Sequence, residues 1–195
     1  MIVDYFLLFF AWVLYFFLHS GLASLEIKEF LTKKLFKKPH HYRLFYSFVS
    51  IAGLFFIIFL LMIIPSHDLF VRTQGWNRFI GLMLATWGTI IAVLGFKPYS
   101  LAEFVGLRRD TSDRYLNKSG LNARVRHPLY SGLILIVVGL FFFIPTNLVL
   151  VSAGSILLYL PIGIKLEEKK LIQLFGEEYI QYRKEVPALF PRLIN

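Results

Sequence analysis

The sequence predicts an all-α polytopic membrane protein: five transmembrane helices, the last two a tight hairpin, then a C-terminal amphipathic helix. Three observations carry this. Of 195 residues, 57% are hydrophobic and 17% charged, where a soluble domain is about half apolar and about a quarter charged. The apolar residues fall in continuous runs rather than in stripes, which excludes a soluble globular enzyme and a disordered chain. The cations fall almost entirely between alternate runs. With no Cys in the chain, a disulfide-stapled domain, a thiolate nucleophile and a Cys-ligated metal are also excluded.

A spanning helix needs about 20 largely apolar residues. The first run extends from about Tyr5 to Leu18. A cleaved signal peptide would begin with basic residues, but the only early charge is Asp4, so an uncleaved helix is expected. The second run, Leu44 to Ile64, stops at Pro65, and the third covers Trp76 to Phe96. On the third, Gly81, Ala85, Gly88, Ala92 and Gly95 recur at spacings of four and three, a stripe that lets helices approach closely. The fourth and fifth, about Leu129–Ile144 and Leu148–Ile164, are separated only by Pro145, Thr146 and Asn147. Both arms are short for a full span. Residues 167–184 then place Glu168, Leu171, Ile172, Phe175, Tyr179 and Tyr182 on one stripe of an amphipathic interfacial helix. With no repeat or long linker, residues 1–195 read as a single membrane domain, with a three-helix part at 1–96 and a second half at 97–195.

Five crossings put 19 of the 21 Lys and Arg on one side, leaving Arg72 and Arg78 on the other. An even number of helices would break that pattern. The positive-inside rule then places the N-terminus outside and the C-terminus in the cytoplasm, in the cell (inner) membrane. The net charge of +9 thus reads as an orientation signal and an attraction to anionic membrane lipids, not as nucleic-acid binding.

Polar residues are the anomalies in such a chain. The connection from Lys97 to Arg126 is far longer than a usual helix–helix loop. It ends in Gly120-Leu-Asn-Ala-Arg-Val-Arg-His-Pro-Leu-Tyr-Ser-Gly132. Pro128 suits a first helical turn, and the free amides there can hold an anionic group. Arg124, Arg126, His127 and Tyr130 around that start read either as interfacial anchors or as a site. Glu167-Glu168 follow the fifth run. A carboxylate on an apolar face needs a partner, and the hairpin returns the Glu pair to the face that carries Arg-His-Pro. Glu168 therefore either pairs with Arg124 or Arg126, or lines a ligand pocket closed by the C-terminal helix. His40-His41 has no acidic neighbour, and no metal site is expected.

Arg126-His-Pro-Leu-Tyr-Ser-Gly132, the hairpin, Glu167-Glu168, Phe175-Gly-Glu-Glu-Tyr-Ile-Gln-Tyr182 and Val186-Pro187 resemble the isoprenylcysteine carboxyl methyltransferase and phospholipid methyltransferase superfamily. The likeness covers about residues 116–192. Leu18-His-Ser-Gly-Leu-Ala-Ser24, Tyr42-Arg-Leu-Phe-Tyr46 and Glu103-Phe-Val-Gly-Leu-Arg108 look like its bacterial NnrU-type branch, which includes methanethiol S-methyltransferases.

The resemblance implies an integral membrane methyltransferase that uses S-adenosylmethionine, with residues 97–195 as the catalytic half. Gly120, Arg126, His127, Pro128, Tyr130, Gly132, Glu167 and Glu168 would bind the cofactor. Ala123-Arg124 stands where many relatives have Tyr-Arg, which bears on the pocket edge. The acceptor would be a small thiol, a prenylated cysteine carboxylate or another lipophilic group. A thiol needs a base, for which His19, His127 and Glu103 are the candidates, with Arg124 as a further catalytic candidate. His19 reads equally as a satisfied interfacial histidine, and Glu103 as a partner of Arg108. The other function class is a non-catalytic accessory protein that keeps the fold, since NnrU-type proteins are also linked to nitrogen-oxide respiration. Oligomeric state is left open.

Overall fold

Apolar runs bounded by Pro, Gly and charge become helices throughout. The computed structural model describes residues 2–36, 38–69, 75–108 and 115–192. Lys37, Arg72, Arg109 and Arg114, counted among the cations above, lie outside them. Helices α1 (Ile2–Ala23), α2 (Leu25–Leu31), α3 (Pro39–Ile63), α4 (Gly75–Phe96), α5 (Leu101–Phe104), α6 (Pro128–Phe143), α7 (Asn147–Phe175) and α8 (Glu177–Glu185) succeed one another, with no strand among the described residues. A wide π-type turn covers Thr32–Phe36, and a 3-10 turn Gly120–Ala123.

Among the described residues, four helices are long and apolar enough to cross a membrane: α1, α3, α4 and α7. The 16-residue α6 is apolar but shorter, about 24 Å against a hydrocarbon core of about 30 Å. Large apolar side chains point outward, with Val3 77%, Phe17 74% and Met62 80% exposed. So much outward apolar surface has a lipid phase as its solvent. The chain is a multi-pass membrane protein.

The polypeptide divides into two compact units. One comprises Met1–Pro65 with Tyr99–Arg114, the other Ser66–Pro98 with Tyr115–Asn195. In the first, α1 packs on α3 around the buried Leu8, Trp12 and Ile57. The Tyr15 ring fills the space over Gly53, where a Cβ would come within 2.9 Å of it.

In the second unit α4 lies backbone to backbone against α6. The expected small-residue stripe makes this contact, with Gly81, Gly88 and Gly95 buried. A Cβ on Gly88 would stand 2.6 Å from the Gly132 carbonyl oxygen, and one on Gly81 2.6 Å from that of Gly139. Gly95 meets Pro128, so the stripe also fixes the start of α6. The α6–α7 hairpin turns at Thr146, whose side chain caps Val149 N–H, and Asn147 Oδ1 accepts from His67 N–H at 3.0 Å.

The largest departure from expectation concerns α7. The fifth run was expected to end near Ile164, with a separate amphipathic helix over 167–184. Instead α7 is continuous for 29 residues, through Pro161 and past the Glu pair, and the break falls at Gly176 (φ +56°). Lys165-Leu-Glu-Glu-Lys-Lys170 ends the apolar run but contains only good helix formers. Gly176 is the first residue beyond them that favours the left-handed conformation found there.

Candidate functional site

Glu167 and Glu168 ride on the polar end of α7, and Arg126-His127-Pro128 forms the entry to α6. The hairpin brings them together. Arg126 donates from Nε (2.9 Å) and Nη2 (2.5 Å) to Glu168 Oε1. Both side chains are almost fully enclosed, 10% and 12% exposed. His127, buried, places Nε2 3.3 Å from the same oxygen and Nδ1 3.7 Å from Glu167 Oε2. Arg183 Nη1 lies 3.8 Å from Glu168 Oε2. Glu168 is thus satisfied by cations within the chain, whereas the Glu167 carboxylate is 43% exposed. Of the partners considered from sequence, Arg126 is the one that pairs with Glu168; Arg124 is exposed beyond the 3-10 turn.

The C-terminal segment is sewn over this cluster through its backbone. Arg126 N–H donates to Pro187 O (2.9 Å) and His127 N–H to Ala188 O (3.0 Å). Arg126 Nη1 donates to the carbonyls of Arg183 and Val186, and Ser131 Oγ to Leu189 O at 2.6 Å. Tyr182 donates to Asn122 O at 2.5 Å, and Asn122 Nδ2 to Arg126 O at 3.4 Å. Outside this shell Lys118 pairs with Glu178 at 2.8 Å.

Tyr179 is 1% exposed, and its hydroxyl completes no hydrogen bond. Burial, and then the Glu168 carboxylate beside it, push its phenol far above the ordinary range, against a smaller opposing effect of Arg126. It stays a neutral hydroxyl at physiological pH. A buried polar atom without a partner costs about 1–3 kcal/mol.

The other residues named from sequence separate. Pro128 opens α6, and the Tyr130 and His127 rings lie 5.5 Å apart. The start of α6 has no side-chain cap. Gly120 begins the 3-10 turn at φ +62°. Gly132 faces α4, where close packing uses its lack of a side chain. His19 and Glu103 belong to the other unit. There His19 stacks on Tyr15 and hydrogen-bonds Ser50 Oγ (3.1 Å) and the Tyr46 hydroxyl; Glu103 lies in α5. Sequence reasoning missed Asn122, Ser131, Arg183 and the carbonyls of 186–189. Only the position of Val186-Pro187 after the last helix signalled the last of these.

These features define a polytopic helical membrane protein with a buried Arg–Glu–His cluster at a helix start, closed by its own C-terminal segment. The chain belongs to the NnrU protein family, whose model matches residues 7–189. It is 27% identical over 187 residues to a methanethiol S-methyltransferase of Crocosphaera subtropica, covering 89% of this chain and 69% of that one. A methanethiol S-methyltransferase of Pseudomonas deceptionensis is 42% identical over 71 residues, 35% of this chain and 26% of its own. A protein-S-isoprenylcysteine O-methyltransferase of Schizosaccharomyces pombe is 34% identical over 99 residues, 47% and 39% of the two chains. The chain thus spans about two thirds of the first relative and well under half of the other two. Both names belong to the superfamily that residues 116–192 resemble. No solved structure matches.

Proposed function

We propose that the protein is an S-adenosylmethionine-dependent membrane methyltransferase that methylates a small thiol or another lipophilic acceptor at the cytoplasmic face. The observation that carries this reading is the enclosed Arg126–Glu168–His127 cluster, with the Glu167 carboxylate left open beside it. The residues present fit the cofactor chemically. Glu167 can accept from an ammonium or from ribose hydroxyls, and the Tyr179 hydroxyl lacks a partner. The relatives named as methyltransferases support the same chemistry.

When bound, the cofactor supplies a methyl group already activated on a sulfonium. The chain's work is alignment and exclusion of water, and no protein nucleophile is required. Arg126 holds Glu168 and the C-terminal segment in one arrangement, which sets the position of His127. Glu167 and the first turn of α6 bind and orient. The 186–189 segment keeps solvent out, and the apolar hairpin supplies a medium of low dielectric. Such a medium would favour a transfer in which opposite charges are neutralised. A five-crossing arrangement in the inner membrane, with α6 as the short span and the C-terminus cytoplasmic, agrees with the cation distribution.

Titration of S-adenosylmethionine into detergent-purified protein tests the reading. Saturable binding is expected, weakened by His127→Ala and by Glu167→Gln. No binding by the wild type at about 1 mM, near −4 kcal/mol, would overturn it and favour a non-catalytic member of the family. Transfer of labelled methyl to methanethiol, a prenylcysteine analogue or an ethanolamine lipid then identifies the acceptor.

A further inference from the structure

Outside the candidate site, the segment joining α1 to α3 has a composition that neither unit's packing explains. Residues 25–38 carry five Lys against Glu26 and Glu29. Ser24 caps α2, accepting from Ile27 N–H at 3.3 Å, so a helical course begins directly where α1 ends. Along α2 and the π-type turn, Ile27 (39%), Phe30 (59%) and Leu35 (63%) stay exposed. Lys33, Lys34 and Lys38 are exposed among them, with Lys34 Nζ 5.4 Å from the centre of the Phe30 ring.

The segment is held, not loose. The Tyr42 hydroxyl donates to Leu22 O at 2.6 Å, and the Phe36 ring packs on Tyr42 and Phe45 at 5.7 and 5.2 Å. The 99–108 stretch is fastened to the same end of this unit. Arg43 Nε donates to Phe104 O at 3.0 Å, and Gly106 (φ +89°) lies where a Cβ would come within 2.5 Å of Leu44 N. Phe104 and Leu107 are exposed as well.

Because this segment links the ends of two candidate spans, α1 and α3, it lies at a membrane boundary whichever way the chain is oriented. Apolar side chains reaching out among Lys residues are what an interfacial element presents to acyl chains and headgroups together. Water would not favour the former, and a zwitterionic surface would not select for the latter. We infer that residues 25–38, with the attached 99–108 stretch, form an interfacial platform that recruits anionic phospholipid around the first unit. The occupant is the lipid surface because the charge is complementary to anionic headgroups and the exposed apolar side chains are continuous with the candidate spans α1 and α3.

The test uses the full chain in bilayer nanodiscs of phosphatidylcholine containing increasing phosphatidylglycerol, with lipid retained after extraction counted by native mass spectrometry. Each cation near an anionic surface contributes about a fivefold preference at low salt. The wild type should therefore retain phosphatidylglycerol over phosphatidylcholine by about tenfold or more, and about 0.5 M salt should collapse the preference. K28Q/K33Q/K34Q/K38Q should remove most of it. F30S/L35S should preserve the headgroup preference while reducing the number of lipids held. Equal retention of the two lipids by the wild type would overturn the inference, as would a preference untouched by salt. The salt titration needs no variant, so the result stands even if the quadruple variant misfolds. An acidic soluble peptide that competes off all retained phosphatidylglycerol would also overturn it, in favour of a protein partner.

Discussion

Replacing Arg126 by Met removes four hydrogen bonds at once. The guanidinium makes two hydrogen bonds to Glu168 and donates to the carbonyls of Arg183 and Val186, with its side chain only 10% exposed. Met fills similar volume but leaves Glu168, itself 12% exposed, with the His127 ring at 3.3 Å and the Arg183 guanidinium at 3.8 Å as its remaining partners. Breaking a buried pair from one side costs about 3–5 kcal/mol, because the surviving charge is left uncompensated. Glu168→Met strands the guanidinium in the same way. The double variant R126M/E168M leaves neither charge of the pair stranded, losing the two carbonyl contacts and the contacts of Glu168 with His127 and Arg183, so its cost should fall below either single. The coupling should be about 2–3 kcal/mol. Equilibrium unfolding of the purified protein in mixed micelles, followed by helical circular dichroism, gives the three differences. Additive costs, or a single-variant cost below about 1 kcal/mol, would refute the view that the pair is a desolvated unit joining hairpin and C-terminal segment.

Further outcomes follow from the structure, the first for a pair of glycines. Gly88→Ala should destabilise by about 1–3 kcal/mol through overpacking, since its Cβ would stand 2.6 Å from the Gly132 carbonyl. Gly154→Ala, with nothing within 4 Å, should be neutral or stabilising by up to about 1 kcal/mol; thermal unfolding of the two distinguishes them. Tyr182→Phe removes the hydrogen bond to Asn122 O and should cost about 1–3 kcal/mol by the same measurement. Tyr179→Phe, which deletes a hydroxyl with no partner, should leave stability unchanged or raised and weaken cofactor binding in calorimetric titration. Glu167→Gln, at a carboxylate 43% exposed, should change stability by less than about 0.5 kcal/mol while lowering cofactor affinity about tenfold, one charge-assisted hydrogen bond's worth.

What could be read from residues alone divides along physical lines. Continuous apolar runs betray spanning helices whatever surrounds them, so α1, α3, α4 and the hairpin were legible to within a few residues at most of their ends. The stripe from Gly81 to Gly95 was legible as close packing because backbone contact leaves a spacing in the sequence. Its partner was not, since nothing in the sequence around Gly132 and Gly139 names the helix they meet. Charge after Ile164 looked like the end of a helix because it ends an apolar run, yet nothing between Lys165 and Phe175 breaks helical geometry. The choice between Arg124 and Arg126 as partner of Glu168 turns on the direction of the 3-10 turn, which two arginines spaced by one residue do not disclose. The acceptors at 186–189 are carbonyl groups, which every residue carries, so their role leaves no compositional trace.

The unbroken course of α7 carries a consequence of its own. Twenty-one residues of one rod separate Asn147 at the hairpin turn from Glu168, about 31 Å of rise, close to one hydrocarbon thickness. Inserting or deleting a single residue along it would swing the carboxylate by about 100° and shift it about 1.5 Å, away from Arg126 and His127 together. That arm therefore acts as a fixed gauge rather than a tether. Substitutions on its lipid-facing side are cheap, but its residue count is held as firmly as the identity of the glutamates it delivers.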